Sequence, residues 1–186
     1  MPAFDQVTLR TARLLLRPLR DSDAEDIYAI FSDARVTRFL SRPPWTETEK
    51  AQELIAQDKD AMAAGRYLRL GIQPEGGERL VGECSLFNLV ERARRAEIGY
   101  AMAHDAWGHG YMNEALRALL EFGFTQLDLN RVEADIDPRN EASARSLERL
   151  GFVSEGYLRQ RWIVSGEVSD SRLYGLLRSE WRPTTP

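Results

Sequence analysis

The chain has 186 residues, 43% of them hydrophobic, a formal net charge of −4 at pH 7 and one cysteine, Cys84. That length supports one domain over residues 1–186 with a full core, the negative balance argues against bulk capture of nucleic acid, and a lone cysteine excludes an internal disulfide. The first ten residues hold no apolar leader core and no apolar run is long enough to span a membrane, so the reading is a soluble, cytoplasmic protein in a reducing compartment.

In chain order, residues 7–20 alternate loosely, Leu9, Leu14, Leu16 and Leu19 against Arg10, Arg13, Arg17 and Arg20, which predicts a first strand or two bent pieces of one. Asp21 or Ser22 then caps a short helix over 24–32, with Asp23 and Glu25 where the helix dipole favours acids. Residues 33–45, with Pro43, Pro44 and Trp45, read as a loop. Thr46 and Glu49 form a capping-box pattern ahead of a helix over about 47–64, which Gly65 ends. Strands follow at 67–73 and, past the turn 74–78, at 79–89; the antiparallel return is 94–103, across the charged connection 91–95.

A helix over 111–126 and a strand over 131–136 complete a strand–helix–strand unit, which favours parallel pairing. Residues 137–140 lead into a helix over 141–150; Gly151 suits the left-handed position after it, and Phe152 can pack back on Leu147. Strands over 152–161 and 171–177 flank a turn near Ser165 and Gly166, and 180–186 reads as a polar tail. The pattern predicts one α+β (mixed α/β) domain on a central mixed sheet of about seven strands, with about four helices.

The stretch 97–116 organises the rest. Gly108 and Gly110 let backbone approach an anion, and a helix start opened by small residues aims bare N–H groups outward, which suits a phosphate; a plain strand–helix turn is the other explanation. His109 is either a phosphate donor or an idle exposed imidazole. Two histidines and one cysteine without ligand spacing argue against a metal site. Glu97 shares a strand face with Gly99, Ala101 and Ala103, and a carboxylate among small residues leaves room for a ligand; pairing with Arg94 or Arg95 is the plainer alternative. Asn140 and Ser143 stand as the N-cap and third-position polar residue of the helix over 141–150. Cys84 reads as a buried strand residue, and Arg92, Arg94 and Arg95 as a solvated hairpin end.

Four stretches together resemble the GNAT superfamily of N-acetyltransferases, and within it the RimJ/RimL type: TARLLLRPL at 11–19, AEIGY at 96–100 followed by WGHGYMNEA at 107–115, NEAS at 140–143 running into LGF at 150–152, and DSRLYGLLRSEW at 170–181. The likeness covers about residues 8–182. It implies acetyl-CoA as donor, a primary amine on a protein N-terminus or small molecule as acceptor, and a homodimer as a common state among relatives. It also implies a mostly antiparallel sheet that splays between its fourth and fifth strands, with pantetheine in the gap beside Ala101 and Met102. The pyrophosphate would sit on the amides of Gly108, His109, Gly110, Tyr111, Met112 and Asn113, and Asn140 would meet the pantetheine arm. Glu97 becomes the candidate base and Ser143 the donor to the leaving thiolate, while Tyr28, Phe31, Phe39 and Trp45 lie on segments that cover the acceptor. The chain departs from the wider family's pattern at Trp107, although Trp is usual in this branch, at Met112, and at Leu147, which stands where many members place a Tyr acid; Met112 and the missing Tyr keep a non-catalytic acyl-CoA sensor as the alternative reading. At pH 7 a neutral α-amine near ~7.8 costs about 1 kcal/mol to reach and a lysine near ~10.4 about 4.6 kcal/mol, which favours the weaker base as acceptor.

Overall fold

The structure, a computed structural model, describes residues 1–182. The N-terminal alternation resolves into two strands, β1 (Leu9–Arg10) and β2 (Leu14–Arg17), paired antiparallel through a turn at 11–13. Leu14 and Leu16 enter the core, but Arg17 does not face solvent: it is 5% exposed and clasps Asp23 through both terminal nitrogens at 2.7 and 2.9 Å. Asp23 also accepts from the Arg20 backbone N–H at 2.6 Å, so its carboxylate braces this corner and leaves the following helix, α1 (Ala24–Ser32), without a side-chain cap.

The stretch read as a loop contains a short helix, α2 (Ala34–Thr37), capped by Asp33, which accepts from the Arg35 backbone N–H at 2.8 Å. The next helix, α3 (Glu49–Ala63), starts at Thr48, and the capping box expected from Thr46 does not form. Gly65 ends it at φ +66°; a Cβ there would lie 2.5 Å from the Pro2 carbonyl oxygen.

Six further strands and two helices follow: β3 (Leu68–Pro74), β4 (Gly82–Val90), β5 (Arg95–Met102), α4 (Tyr111–Thr125), β6 (Arg131–Ile136), α5 (Glu141–Arg149), β7 (Val153–Val164) and β8 (Glu167–Leu177). They join one sheet in the order β1-β2-β3-β4-β5-β6-β8-β7. Its pairs are antiparallel except β5–β6, which is parallel, as the strand–helix–strand unit requires. Among the described residues eight strands stand where about seven were expected, because the first segment splits, and five α-helices where about four were expected, because of α2.

Helices α4 and α5 cover one face of the sheet, where Leu116, Leu119, Leu120 and Phe124 pack with Cys84, Leu86, Ile98 and Val132. Helices α1 and α3 cover part of the other, over Leu19, Leu80 and Ala101. The expected polar tail is corrected at its start: Trp181 is buried, 5.8 Å from the Phe124 ring, and its indole N–H donates to Glu121 at 2.7 Å. The rest of that tail, 183–186, lies outside the described residues. The last hairpin runs longer than expected and is bulged between Leu158 and Trp162, where Asp170 accepts from the Gln160 backbone N–H and the Tyr157 hydroxyl at 2.7 and 2.6 Å. Among the described residues no helix is long and apolar enough to cross a membrane.

Candidate active site

The parallel pair decides the architecture of the site. β5 and β6 are in register only at Arg95–Arg131, Ala96–Val132 and Glu97–Glu133, yet β5 continues to Met102, paired on its other side with β4 as far as Gly82. A wedge therefore opens between β5 and β6. Ala103 donates its backbone N–H to the Val81 carbonyl at 2.8 Å, on the β4 side. Successive strand residues turn their main-chain groups to opposite edges, so the N–H groups of Ile98, Tyr100 and Met102 face the wedge, and Ala101 turns toward β4. The Met102 carbonyl on the wedge side accepts from the Trp107 indole at 2.8 Å.

The wide end of the wedge meets the turn into α4. Gly108 and Gly110 hold φ of +80° and +78°, values that favour glycine, and Gly110 is the helix N-cap. The turn is exposed, with free N–H groups over the first helical residues. Asn113 contributes a side-chain amide nitrogen that is buried without a hydrogen-bond partner. Tyr111 stacks on His109 at 5.5 Å, His109 contacts the Trp107 carbonyl through Nδ1 at 3.0 Å, and Met112 packs against the core rather than over the turn.

The narrow end opens on the opposite face into a cleft of about 680 Å³, within the size range of small-ligand sites. Glu97, Gly99 and Ala101 line it from β5, Ser85 and Phe87 from β4, Phe31 and Phe39 from the α1–α2 side, Asp135 and Asp137 from the end of β6, and Trp162 from the last hairpin. Ile98 and Tyr100 also contribute, because the cleft runs into the wedge. Tyr28 and Trp45 are not part of this wall; Trp45 packs on Phe31 with centroids 4.8 Å apart.

Glu97 keeps 27% of its side chain exposed and accepts from Asn88 Nδ2 at 3.0 Å. A bulge in β4 after Phe87, with Asn88 at φ +48°, brings that amide to Glu97. The plain pairing is weak: Arg95 lies 4.0 Å from Glu97 and binds Glu133 more closely, while Arg94 pairs with Asp128 at 2.8 Å. Deeper in the cleft, Glu83 is 5% exposed and stands 3.2 Å from Arg69, which also pairs with Asp58 at 3.0 Å. Burial pushes the Glu83 carboxyl up, against the pull of Arg69.

On the helix side, Asn140 caps α5 by accepting from the Ser143 backbone N–H at 3.1 Å. Ser143 Oγ lies 2.7 Å from the Tyr100 hydroxyl, and burial pushes that phenol up to about 12. Leu147 is fully buried in the core.

A family model described as an acetyltransferase (GNAT) domain matches residues 13–153. The chain belongs to the GNAT acetyltransferase family. YdaF of Bacillus subtilis, whose name assigns it provisionally as a ribosomal N-acetyltransferase, is 41% identical over 172 residues, covering 90% of this chain and 93% of its own. The [ribosomal protein uS5]-alanine N-acetyltransferase of Escherichia coli is 26% identical over 187 residues, covering 96% and 94%. Among solved structures, Mycobacterium smegmatis RimJ in complex with CoA-disulfide superimposes with a TM-score of 0.85 at 26% identity, covering 97% of this chain and 91% of that one.

As a GNAT acetyltransferase, the protein is an acetyl-CoA-dependent enzyme. Its residues fit coenzyme A on their own terms: a left-handed glycine turn at a helix start, an orphaned Asn113 amide beside it and a line of strand N–H groups leading away from it. Among the described residues no cluster of His, Cys, Asp and Glu could hold a metal ion. Three contributors escaped the sequence reading. Arg13 reaches the glycine turn from the β1–β2 connection, donating to the His109 carbonyl at 3.0 Å. Asn88 holds Glu97, and Tyr100 holds Ser143. Their types gave no local hint: Arg13 and Tyr100 act through partners distant in sequence, and Asn88 through a bulge that turns it toward Glu97.

Proposed function

We propose that the enzyme acetylates a primary amine, with the α-amino group of a protein N-terminus as acceptor, by direct attack within a ternary complex in the cytoplasm. The observation that carries this reading is the wedge between β5 and β6, which connects the left-handed glycine turn at the start of α4 to a carboxylate-lined cleft on the other face. The amides of residues 108–113 hold the pyrophosphate, with Asn113 adding its side-chain donor and His109 at the rim. The N–H groups of Met102 and Tyr100 and the helix start at Asn140 align the pantetheine arm. Bound acetyl-CoA supplies an activated acyl carbonyl at the narrow end of the wedge.

Glu97, held by Asn88, faces the amine and takes its surplus proton, directly or through one water. Ser143 meets the sulfur from the opposite face. The acceptor class rests on the likeness to YdaF and on the lower cost of presenting a neutral α-amine at pH 7.

The test is release of coenzyme A thiol from acetyl-CoA with peptides offering a free N-terminus, against the same peptides blocked there but carrying lysine, and against a polyamine. Faster release with the free N-terminus is expected; release with the polyamine alone would replace the acceptor, and binding of acetyl-CoA without release would leave the sensor. Glu97→Gln is expected to lower turnover by about a hundredfold or more, with acetyl-CoA affinity by calorimetry nearly unchanged. Wild-type turnover in that variant across pH would remove Glu97 from the mechanism.

A further inference from the structure

A side-chain hydrogen bond crosses the wedge from strand to helix: Tyr100 Oη on β5 and Ser143 Oγ on α5, 2.7 Å apart. Ser143 is 8% exposed, and its backbone N–H is already spent on the Asn140 cap. Two hydroxyls joined by one hydrogen bond use one of their two protons, so the second O–H is left over whichever group donates. The phenol is the stronger acid of the two and the better donor. With Tyr100 donating, the free proton is the one on Ser143.

We propose that Tyr100 is a positioning residue for the departing thiolate: it donates to Ser143 Oγ and so turns the serine proton into the wedge, onto the sulfur of coenzyme A. The inference rests on the acetyltransferase reading above. As the amine lone pair forms the new C–N bond, the C–S pair leaves on sulfur, and the surplus amine proton departs on the Glu97 side. Neither hydroxyl loses its proton. A phenol at about 12 stays protonated beside a thiol near roughly 8.5, so the pair works as a hydrogen-bond donor and not as an acid. Linked hydroxyls polarise each other, which makes the outer proton a stronger donor than a lone serine would offer.

The groups facing Tyr100 leave this arrangement undisturbed. Cys84, its partner across β4, is fully buried and its thiol is held well above the usual range by burial. Tyr174 on β8 donates to Glu148 at 3.4 Å, and its effect on Tyr100 is only to raise the phenol further, which keeps it protonated.

The product complex tests this without knowledge of the acceptor. Coenzyme A is bound to the wild-type enzyme, and its thiol is titrated by ultraviolet difference absorbance of the thiolate. The buried Cys84 does not interfere, and exposed tyrosines cancel against the protein without coenzyme A. A hydrogen bond to a charged sulfur is expected to favour the bound thiolate about tenfold over free coenzyme A. Tyr100→Phe should remove most of that preference, Ser143→Ala all of it, and the double variant no more than Ser143→Ala, with acetyl-CoA affinity by calorimetry little changed. A wild-type thiol titration in Tyr100→Phe overturns the inference, as do strictly additive effects of the two changes. Loss of coenzyme A binding in Tyr100→Phe, together with a lowered melting temperature, also overturns it, making Tyr100 a structural brace. Failure of the wild-type protein to bind coenzyme A at all would instead overturn the proposed function.

Discussion

Position 110 carries two demands at once. Its φ of +78° is a left-handed value, and the ideal Cβ would lie 3.5 Å from an Arg13 nitrogen, so space is available but the dihedral is not. A β-branched side chain there costs about 1–3 kcal/mol of backbone strain, which the turn can relieve only by rotating its amides away from the anion. Gly110→Val is therefore expected to weaken acetyl-CoA binding at least tenfold by calorimetry while the chain still folds. Wild-type affinity would show that the turn does not hold the cofactor. Sequence reasoning located this glycine without any tertiary information, because a helix start and a positive φ are local properties. It could not locate Asn88, whose value lies in facing Glu97 across a bulge.

Between elements, the β1–β2 turn is fastened to the first turn of α4. Thr11 donates to Glu114 at 2.5 Å, and Arg13 donates to it through its backbone N–H at 3.0 Å and its Nε at 2.7 Å. Burial alone would raise the Glu114 carboxyl, but these donors hold it below the usual range. Arg13 uses another nitrogen on the His109 carbonyl, so the clamp also orders the glycine turn. Glu114→Gln should cost about 1 kcal/mol in that partly exposed contact, seen as a roughly fivefold loss of acetyl-CoA affinity with turnover of bound substrate unchanged. An unaltered affinity by calorimetry would mean the turn is ordered without the clamp. An acid in the first turn of a helix is legible as a dipole partner; its attachment to a residue 101 positions earlier is not.

Across the whole molecule, several carboxylates are held as anions by the fold. Asp23, Glu114, Glu133 and Asp137 are each opposed by burial, yet hydrogen bonds from Arg17, Thr11, Arg131 and Arg139 respectively lead the effects that keep them below their ordinary values. A carboxyl whose folded pKa is depressed adds stability above its unfolded value, near ~4, and loses it as pH falls through the folded one. Asp58 and Glu83 run the other way, since burial raises both. The more exposed Asp33, Asp128, Glu155 and Asp170 are also held low by hydrogen bonds, so lowered carboxyls outnumber raised ones and the melting temperature is expected to drop as pH falls from about 5 toward 3. The drop should be shallower in Asp23→Asn, which gives up the buried pair with Arg17. A melting temperature that does not change over that range would show that the pairs are not worth their burial.

What this chain settles alone is whatever repeats at short range. The stripe Leu116, Leu119, Leu120 and Phe124, the Asn140 cap, the Gly151 exit after α5 and the strand Arg131–Ile136 are all readable because helical period, dihedral preference and capping involve neighbours a few positions apart. Tertiary structure decided which polar residues go inside. Arg17 alternates with leucines as a solvent-facing charge would, yet it is buried on Asp23; Arg69 is buried with Asp58 and Glu83; Trp181 reads as tail and fills a gap on α4. Burial of a charge is favourable only when a partner arrives with it; Asp23 lies six residues from Arg17 and Asp58 eleven from Arg69, but only the fold turns each pair inward together.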